Sequence, residues 1–195
     1  METALRIEMP EGAEEIISRL KGRGYEAFAV GGCVRDSIMG RTPEDWDITT
    51  SALPAQVKEV FRRTIDTGIQ HGTVTVMKGG IGYEVTTYRI DGEYRDGRHP
   101  SSVSFTSNLR EDLRRRDFTI NAMAYSHETG LVDAFGGLED MKAGRIRCVG
   151  DPVERFTEDA LRILRAIRFS AQLDFSIEDK TLKAITTMAP NLAKV

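Results

Sequence analysis

The chain has 195 residues, with 27 lysines and arginines against 30 aspartates and glutamates, giving a formal net charge of −3. At 40% hydrophobic and 29% charged, it has the composition of a globular domain, alone or with a small appendage. No apolar run approaches the roughly 18 residues of a membrane helix, and the distant Cys33 and Cys148 exclude a disulfide framework. We therefore expect a cytoplasmic protein with no membrane partner. The mild acidity argues against a purely electrostatic nucleic-acid binder, but it does not exclude a positively charged cleft.

The first part of the chain mixes helical and strand patterns. Apolar residues at helical spacing, ended by glycines, and period-two alternation define its elements. The predicted helices span 12–24, 33–39, 54–61 and 108–116; the predicted strands span 27–30, 45–49, 73–77 and 83–88, with a polar loop over 91–102.

The last part of the chain changes character. An apolar stretch over 118–125 is followed by short strands at 131–135 and 146–149 around a helical turn at 138–143. From residue 151 onward the pattern predicts helices only, over 152–156, 158–171 and 177–188. This change places a boundary near residue 140, between a mixed α/β domain over 1–140 and an all-helical part over 141–195.

Two carboxylates follow a pair of glycines at a spacing that suggests a metal and phosphate site. Asp45 and Asp47 are two residues apart on a predicted strand, so their side chains project to the same face. Paired carboxylates repel unless a cation lies between them, and hard oxygen ligands suit Mg²⁺. The glycines Gly31 and Gly32 lie at a strand-to-helix junction where backbone N–H groups can approach phosphate. Arg35, one turn into that helix, can add a bidentate phosphate contact.

Alone, an Asp-x-Asp pair more often marks a solvated strand end. The combination resembles the DNA polymerase β-like nucleotidyltransferase superfamily, in which a glycine-rich turn precedes a metal-binding aspartate pair. Such sites usually include a third carboxylate on a neighbouring strand. Glu84 is the natural candidate, although it could equally be a surface glutamate paired with a cation. The chemistry this site supports is two-metal nucleotidyl transfer.

The predicted helix over 158–171 contains a second group of charged residues. On a helical wheel of about 100° per residue, Asp159 and Arg162 lie close together on the side opposite the apolar stripe. A solvated, salt-bridged face is one interpretation. The other is base selection: a carboxylate accepts from the exocyclic amine of cytosine or adenine, and a guanidinium donates to the neighbouring ring nitrogen. The stripe expected to be buried consists of Ala160, Leu164, Ile167 and Ala171.

Together these motifs resemble the class II tRNA nucleotidyltransferase family, the bacterial CCA-adding enzymes, from about Tyr25 to the end of the chain. They occur in the family's order. They are the segments 31–36 (GGCVRD), 45–49 (DWDIT), 71–75 (HGTVT), 84–89 (EVTTYR), 115–122 (RRDFTINA) and 158–162 (EDALR).

The resemblance implies a polymerase β-like head with a mixed sheet and flanking helices, followed by a helical neck. It implies that the chain adds C, C and A to the tRNA 3′ end from CTP and ATP with Mg²⁺. By position, Asp45 and Asp47 hold the metals. The implied nucleotide-binding residues are Gly32, Arg35, Arg116, Asp159, Arg162, Arg165 and Arg168. It also implies further helical regions beyond Val195.

Related activities remain open at this point. The bacterial poly(A) polymerases share these motifs, although the segment 65–72 (IDTGIQHG) resembles the tRNA-enzyme form. An enzyme that adds only A is a second alternative. The loop over 91–102, which CC-only enzymes lack, is consistent with addition of adenosine. In a different class, the chain could bind nucleotide or RNA without catalysing a reaction.

Overall fold

The computed structural model describes residues 5–96 and 98–195, so Gly97 of the predicted loop lies outside the described residues. Each predicted helix has a counterpart in the structure, with boundaries shifted by at most three residues. The helices are α1 (Glu11–Gly22), α2 (Gly32–Ile38), α3 (Pro54–Val60), α4 (Leu109–Arg114), α5 (Gly137–Lys142), α6 (Pro152–Glu158), α7 (Leu161–Leu173) and α8 (Asp179–Met188).

The strands of the described part form one large mixed sheet and two short ribbons. They are β1 (Ala27–Val30), β2 (Ile48–Thr50), β3 (Thr64–Gly68), β4 (Thr73–Lys78), β5 (Ile81–Thr87), β6 (Arg89–Asp91), β7 (Val103–Phe105), β8 (Ala124–Ser126), β9 (Gly130–Val132), β10 (Arg145–Ile146) and β11 (Ser176–Ile177). The large sheet has the order β3-β4-β5-β2-β1-β8-β9, and only its β2–β5 pair is parallel. This confirms the predicted class of mixed sheet with flanking helices.

The described chain divides into two compact units that interleave along the sequence. The first contains the residues up to Ile90, Phe105–Asp112 and Met123–Val132, and therefore holds the large sheet. The second contains Asp91–Ser104, Leu113–Ala122 and Asp133–Val195. The boundary near residue 140 stays a prediction, because a compact unit need not coincide with a domain that is continuous in sequence.

The large sheet is organised around β1. All four of its residues are buried, as expected for a strand with a neighbour on each side and α1 packed against it. Helix α1 buries Ile16 and Leu20, four residues apart. The hairpin of β4 and β5 turns at Gly79 and Gly80, whose φ angles of 56° and 82° match the two positive values that a tight hairpin turn needs.

Several predictions about strands were wrong, and β3, β6, β7 and β8 were not predicted as strands. The strand expected over 45–49 begins only at Ile48, because the ladder with β1 does not include residues 45–47. Strand β3 was missed because it lies at the sheet edge, where its residues are mostly exposed and lack a buried face. The carboxyl-terminal part is not purely helical, since β10 and β11 form a short parallel ribbon.

The second unit has its own apolar core. Phe156 from α6 and Ile163 from α7 are buried there, together with Phe118 and Ile146. Helices α6 and α8 pack together. Across the described residues, none of the helices is long and apolar enough to cross a membrane.

Candidate active site

Asp45 and Asp47 both point to solvent on the same side of an extended segment. Trp46 and Ile48, which alternate with them, are buried, so the period-two alternation predicted from the sequence is present although the ladder starts later. The segment is held in place by a backbone hydrogen bond of 3.0 Å from the Val30 amide to the Asp47 carbonyl. The end of β1 therefore anchors the backbone that carries the two carboxylates at Asp47.

The two aspartates match the requirements of a Mg²⁺ ion in the type of their donor atoms. Carboxylate oxygens are hard ligands, and Mg²⁺ is usually held by one or two carboxylates together with water and substrate phosphate oxygens. Glu84 lies on the exposed face of β5, opposite Thr75. Among residues 5–96 and 98–195, no group of three or more histidines, cysteines, aspartates or glutamates is placed to hold a metal ion. The role of Glu84 as a third carboxylate stays a prediction.

The glycine turn after β1 has a conformation that requires glycine. Gly31 has φ 81° and ψ −132°, a region that other residues rarely occupy, and α2 follows directly. Arg35 is buried on α2 and donates through Nε to Asp36 Oδ1 at 2.9 Å. A Cβ atom at Gly32 would lie 3.5 Å from Nη2 of Arg35, an ordinary contact distance. The nucleotide contacts of Gly32 and Arg35 stay predictions.

The charged residues predicted to read a base lie where two helices meet. The helix predicted over 158–171 is in fact interrupted: α6 ends at Glu158 and α7 begins at Leu161. Asp159 has an extended conformation, with φ −141° and ψ 104°, and its Oδ1 accepts the Leu161 amide at 3.0 Å. Its carboxylate therefore accepts the amide of the first residue of α7, a local side-chain to backbone hydrogen bond that short acidic residues often make before a helix.

The predicted orientation of α7 was wrong. Its buried residues are Arg162, Ile163, Ala166, Phe169 and Leu173. Leu164 and Ile167, which were expected in the core, are each 51% exposed, and Ala171 is exposed as well. Of the expected stripe only Ala160 is buried, at 2% exposed.

Arg162 was expected on the solvent side but is only 8% exposed. Its Nη1 donates to Glu158 Oε2 at 2.6 Å and to the Arg155 carbonyl at 3.2 Å, and its Nη2 donates to the Arg115 carbonyl at 3.1 Å. The ring of Tyr94 lies 5.9 Å from the guanidinium carbon. Burial lowers the pKa of Arg162, but Tyr94 and Glu158 more than offset this and the net shift is upward. Three of its five N–H donors are thus used within the second unit, which leaves two for a ligand.

The remaining predicted arginines lie in the second unit and differ in their surroundings. Arg165 contacts Asp117, with Nε 2.7 Å and Nη2 2.6 Å from Oδ2. Arg168 is exposed and lies with its guanidinium carbon 5.3 Å from the centre of the Phe169 ring. Arg116 is partly buried in the segment after α4. Its proposed contact with the triphosphate stays a prediction.

Sequence reasoning missed two acidic residues that contact these arginines. Glu158 precedes Arg162 by four residues, a spacing that could have suggested the pair even though the helix is interrupted. Asp117 is 48 residues away from Arg165 in sequence, so no local pattern could have paired them.

The two cysteines do not have the properties of nucleophiles. Burial raises the pKa of the Cys33 thiol to about 11 and that of the Cys148 thiol to about 12. A reactive cysteine requires a lowered pKa. Neither thiol is therefore activated for nucleophilic attack at neutral pH.

The sequence model of the poly A polymerase head domain matches residues 27–147. The chain belongs to this family. A curated CCA-adding enzyme from Leuconostoc mesenteroides is 56% identical over 183 residues, which cover 94% of this chain and 46% of the relative. The chain thus spans about half the length of the curated relatives it matches.

Solved structures give the same result for the fold. The CCA-adding enzyme of Bacillus stearothermophilus in complex with CTP superposes with a TM-score of 0.87 at 46% identity, covering 96% of this chain and 46% of that one. The Thermotoga maritima CCA-adding enzyme complexed with tRNA superposes with a TM-score of 0.75 at 29% identity, covering 91% of this chain and 41% of that one.

Proposed function

We propose that the chain is the catalytic part of a tRNA nucleotidyltransferase that adds C, C and A to the tRNA 3′ end. It takes the nucleotides from CTP and ATP, without a nucleic-acid template, and releases pyrophosphate. The observation that carries the proposal is the exposed pair Asp45 and Asp47, fixed beside the end of β1. The similarity to CCA-adding enzymes, one of them in complex with CTP, supports it.

In the proposed reaction the 3′-hydroxyl of the tRNA attacks the α-phosphorus of the nucleoside triphosphate. Asp45 and Asp47 hold Mg²⁺, with Glu84 as the additional catalytic carboxylate. When bound, Mg²⁺ supplies positive charge that lowers the pKa of the attacking hydroxyl and neutralises the triphosphate. The protein contributes position and charge rather than a covalent nucleophile. The nucleotide is bound by Gly32, Arg35, Arg116, Asp159, Arg162, Arg165 and Arg168.

Base selection is assigned to Asp159 and Arg162. The second oxygen of Asp159 is available to accept from the amine of cytosine or adenine, since Oδ1 is the atom that accepts the Leu161 amide. Arg162 keeps two N–H donors for the neighbouring ring nitrogen. Uracil and guanine present a donor and an acceptor in the reverse order, so the partly buried Asp159 and the buried Arg162 would lose their partners.

The carboxyl-terminal part, over 141–195, is proposed to serve as the neck that contains the base-reading residues. We also infer that the protein works in the cytoplasm. Both cysteines are free and buried, which fits a reducing compartment.

The proposal can be tested by incubating the chain with tRNA that lacks its CCA end, together with CTP, ATP and Mg²⁺. We expect addition to stop after three nucleotides. Asp45→Asn should abolish incorporation and leave the unfolding midpoint unchanged, because the side chain is exposed. Asp66→Asn is the matched control, since Asp66 is an exposed aspartate of β3 paired with Lys58.

Other products would identify the alternatives. A long A tail would assign the chain to the poly(A) polymerases, and a single A to the A-only enzymes. Nucleotide binding without incorporation would indicate a binding module. Equal affinity for CTP, ATP, UTP and GTP would contradict base reading by Asp159 and Arg162.

A further inference from the structure

A buried carboxylate outside the predicted site holds one of the predicted nucleotide-binding arginines. Asp117 is 7% exposed and lies three residues after the end of α4. Its Oδ2 accepts two hydrogen bonds from Arg165 of α7, at 2.7 Å from Nε and 2.6 Å from Nη2. Both residues belong to the second unit.

The two oxygens of Asp117 have separate partners. Oδ1 accepts the amide of Phe118 at 2.7 Å and the side-chain amide of Asn121 at 3.2 Å, so it organises the local turn. Oδ2 accepts from Arg165. An asparagine at this position can keep the first set of contacts through its carbonyl oxygen and lose the second, because its amide group would face another donor.

The contact fixes the guanidinium of Arg165 from two directions. Asp117 binds the edge formed by Nε and Nη2, and the ring of Phe169 lies 5.1 Å from the guanidinium carbon. The Nη1 group has no hydrogen-bond partner in the described part of the chain, and the side chain is 42% exposed. The Nη1 group of Arg165 therefore faces solvent, while the contacts with Asp117 and Phe169 hold the guanidinium in one orientation.

Arg168 provides a useful contrast on the same helix. It also lies beside the ring of Phe169, at 5.3 Å, but it is exposed and no carboxylate holds its guanidinium among the residues described. A long side chain that is not held loses considerable rotamer entropy when it binds a ligand. Asp117 already restricts the rotamers of Arg165 in the free protein, so less entropy is lost when the ligand binds.

We propose that Asp117 is a positioning residue that aligns Arg165 to bind the anionic triphosphate of the incoming nucleotide. The inference rests on the proposed function, because it assigns Arg165 to the nucleotide. Asp117 itself does not touch the ligand and acts through the guanidinium. Removing the carboxylate of Asp117 should weaken the binding of all nucleoside triphosphates equally, since a contact to the triphosphate does not distinguish the bases.

The test is the affinity of the Asp117→Asn variant for CTP, ATP and UTP, measured by calorimetry with Mg²⁺. We expect the Kd values for CTP and ATP to rise about tenfold and the ratio of CTP to UTP affinity to stay unchanged. Asp151→Asn is the matched control. It makes the same charge change in the second unit, and an asparagine caps α6 as well as the aspartate does.

A double-mutant cycle separates positioning from a structural role. In an Arg165→Gln background, Asp117→Asn should produce no further rise in Kd, because the residue through which it acts is already missing. The same non-additivity is expected with Arg165→Lys, which keeps the charge and loses the planar fork. Thermal unfolding of each variant monitors the fold.

The outcomes distinguish the two proposals. If the unmodified chain binds no nucleotide, the proposed function fails, and this inference fails with it. If the unmodified chain binds CTP and Asp117→Asn binds it equally well, only the positioning role is overturned. If the losses of binding free energy in the two single variants were additive in the double variant, the positioning role would also be overturned. Additivity would mean that Asp117 acts independently of Arg165.

Discussion

Arg162 donates a 2.6 Å hydrogen bond to Glu158, although the two residues belong to successive helices with a break between them. Glu158 also accepts from Arg155 at 2.5 Å, so one carboxylate joins two arginines across the junction of α6 and α7. A guanidinium that is 8% exposed needs an opposite charge beside it, because burial penalises an unpaired ion. Glu158 therefore sets the position of Arg162.

Glu158→Gln should destabilise the second unit and disturb base selection together. Removing the charge leaves Arg162 buried beside a neutral amide, and we expect a loss of about 2 kcal/mol in the free energy of unfolding. The CTP over UTP preference should fall as well. Urea unfolding and nucleotide titration measure the two effects. Glu154→Gln is the control, because Glu154 is an exposed glutamate of the same helix. Unchanged stability and unchanged preference would contradict the positioning of Arg162 by Glu158.

The buried Asp140 predicts an acid-dependent loss of stability. Its carboxylate accepts from Thr119 at 2.5 Å, from Arg145 at 2.7 Å and from Arg147 at 2.8 Å. Burial raises the pKa of Asp140, but these hydrogen bonds outweigh it and the pKa lies below its ordinary value of 3.8. The contribution of Asp140 is therefore present above the unfolded-state pKa and is lost as the pH falls through the folded-state pKa.

Asp140→Asn should lower the free energy of unfolding by about 3 kcal/mol at pH 7, because it leaves Arg145 and Arg147 without their shared carboxylate. The difference from the unmodified chain should shrink below about pH 4 as the carboxylate becomes protonated. Denaturant unfolding at several pH values tests this. Asp174→Asn, at an exposed position where asparagine tolerates φ 56°, should change stability by less than about 0.5 kcal/mol at neutral pH. A pH-independent difference for Asp140→Asn would contradict the assignment.

Gly31→Ala should destabilise the first unit by about 2 kcal/mol, since alanine is strained at φ 81° and ψ −132°. The Gly31 amide also donates to the Met123 carbonyl at 3.1 Å, which ties the turn to the segment before β8. Gly22→Ala is the opposite case. Gly22 ends α1, and a Cβ atom added there would have open space around it. The change should therefore raise the free energy of unfolding by about 0.5 kcal/mol. The two urea midpoints should move in opposite directions.

The sequence predicted the centre of the large sheet well and the orientation of α7 poorly. Strand β1 has the predicted bounds, because a short apolar run between a helix-ending glycine and a glycine pair allows few alternatives. Helix α7 has two apolar stripes, one with Leu164 and Ile167 and one with Ile163 and Phe169. A helical wheel cannot choose between them, since tertiary packing decides which is buried.

In the candidate site, too, local patterns were predictable from the sequence and tertiary contacts were not. The alternation of Asp45 and Asp47 with buried neighbours follows from the period of an extended chain and was predictable. The burial of Arg162 was not, because a wheel assigns arginine to solvent and takes no account of partners such as the Arg115 carbonyl, 47 residues away. Contacts that depend on distant parts of the chain are fixed only by the three-dimensional fold.

The position of β1 also constrains the order in which the protein can fold during synthesis. Ala29 of β1 pairs with Ile48 of β2 on one edge and with Tyr125 of β8 on the other. A nascent chain that has not yet reached Tyr125 therefore carries its most apolar strand with one edge open. Such an edge can pair with another chain. Strand β1 therefore gains its second neighbour only after β8 has been synthesised, and this non-local pairing is expected to form late in folding.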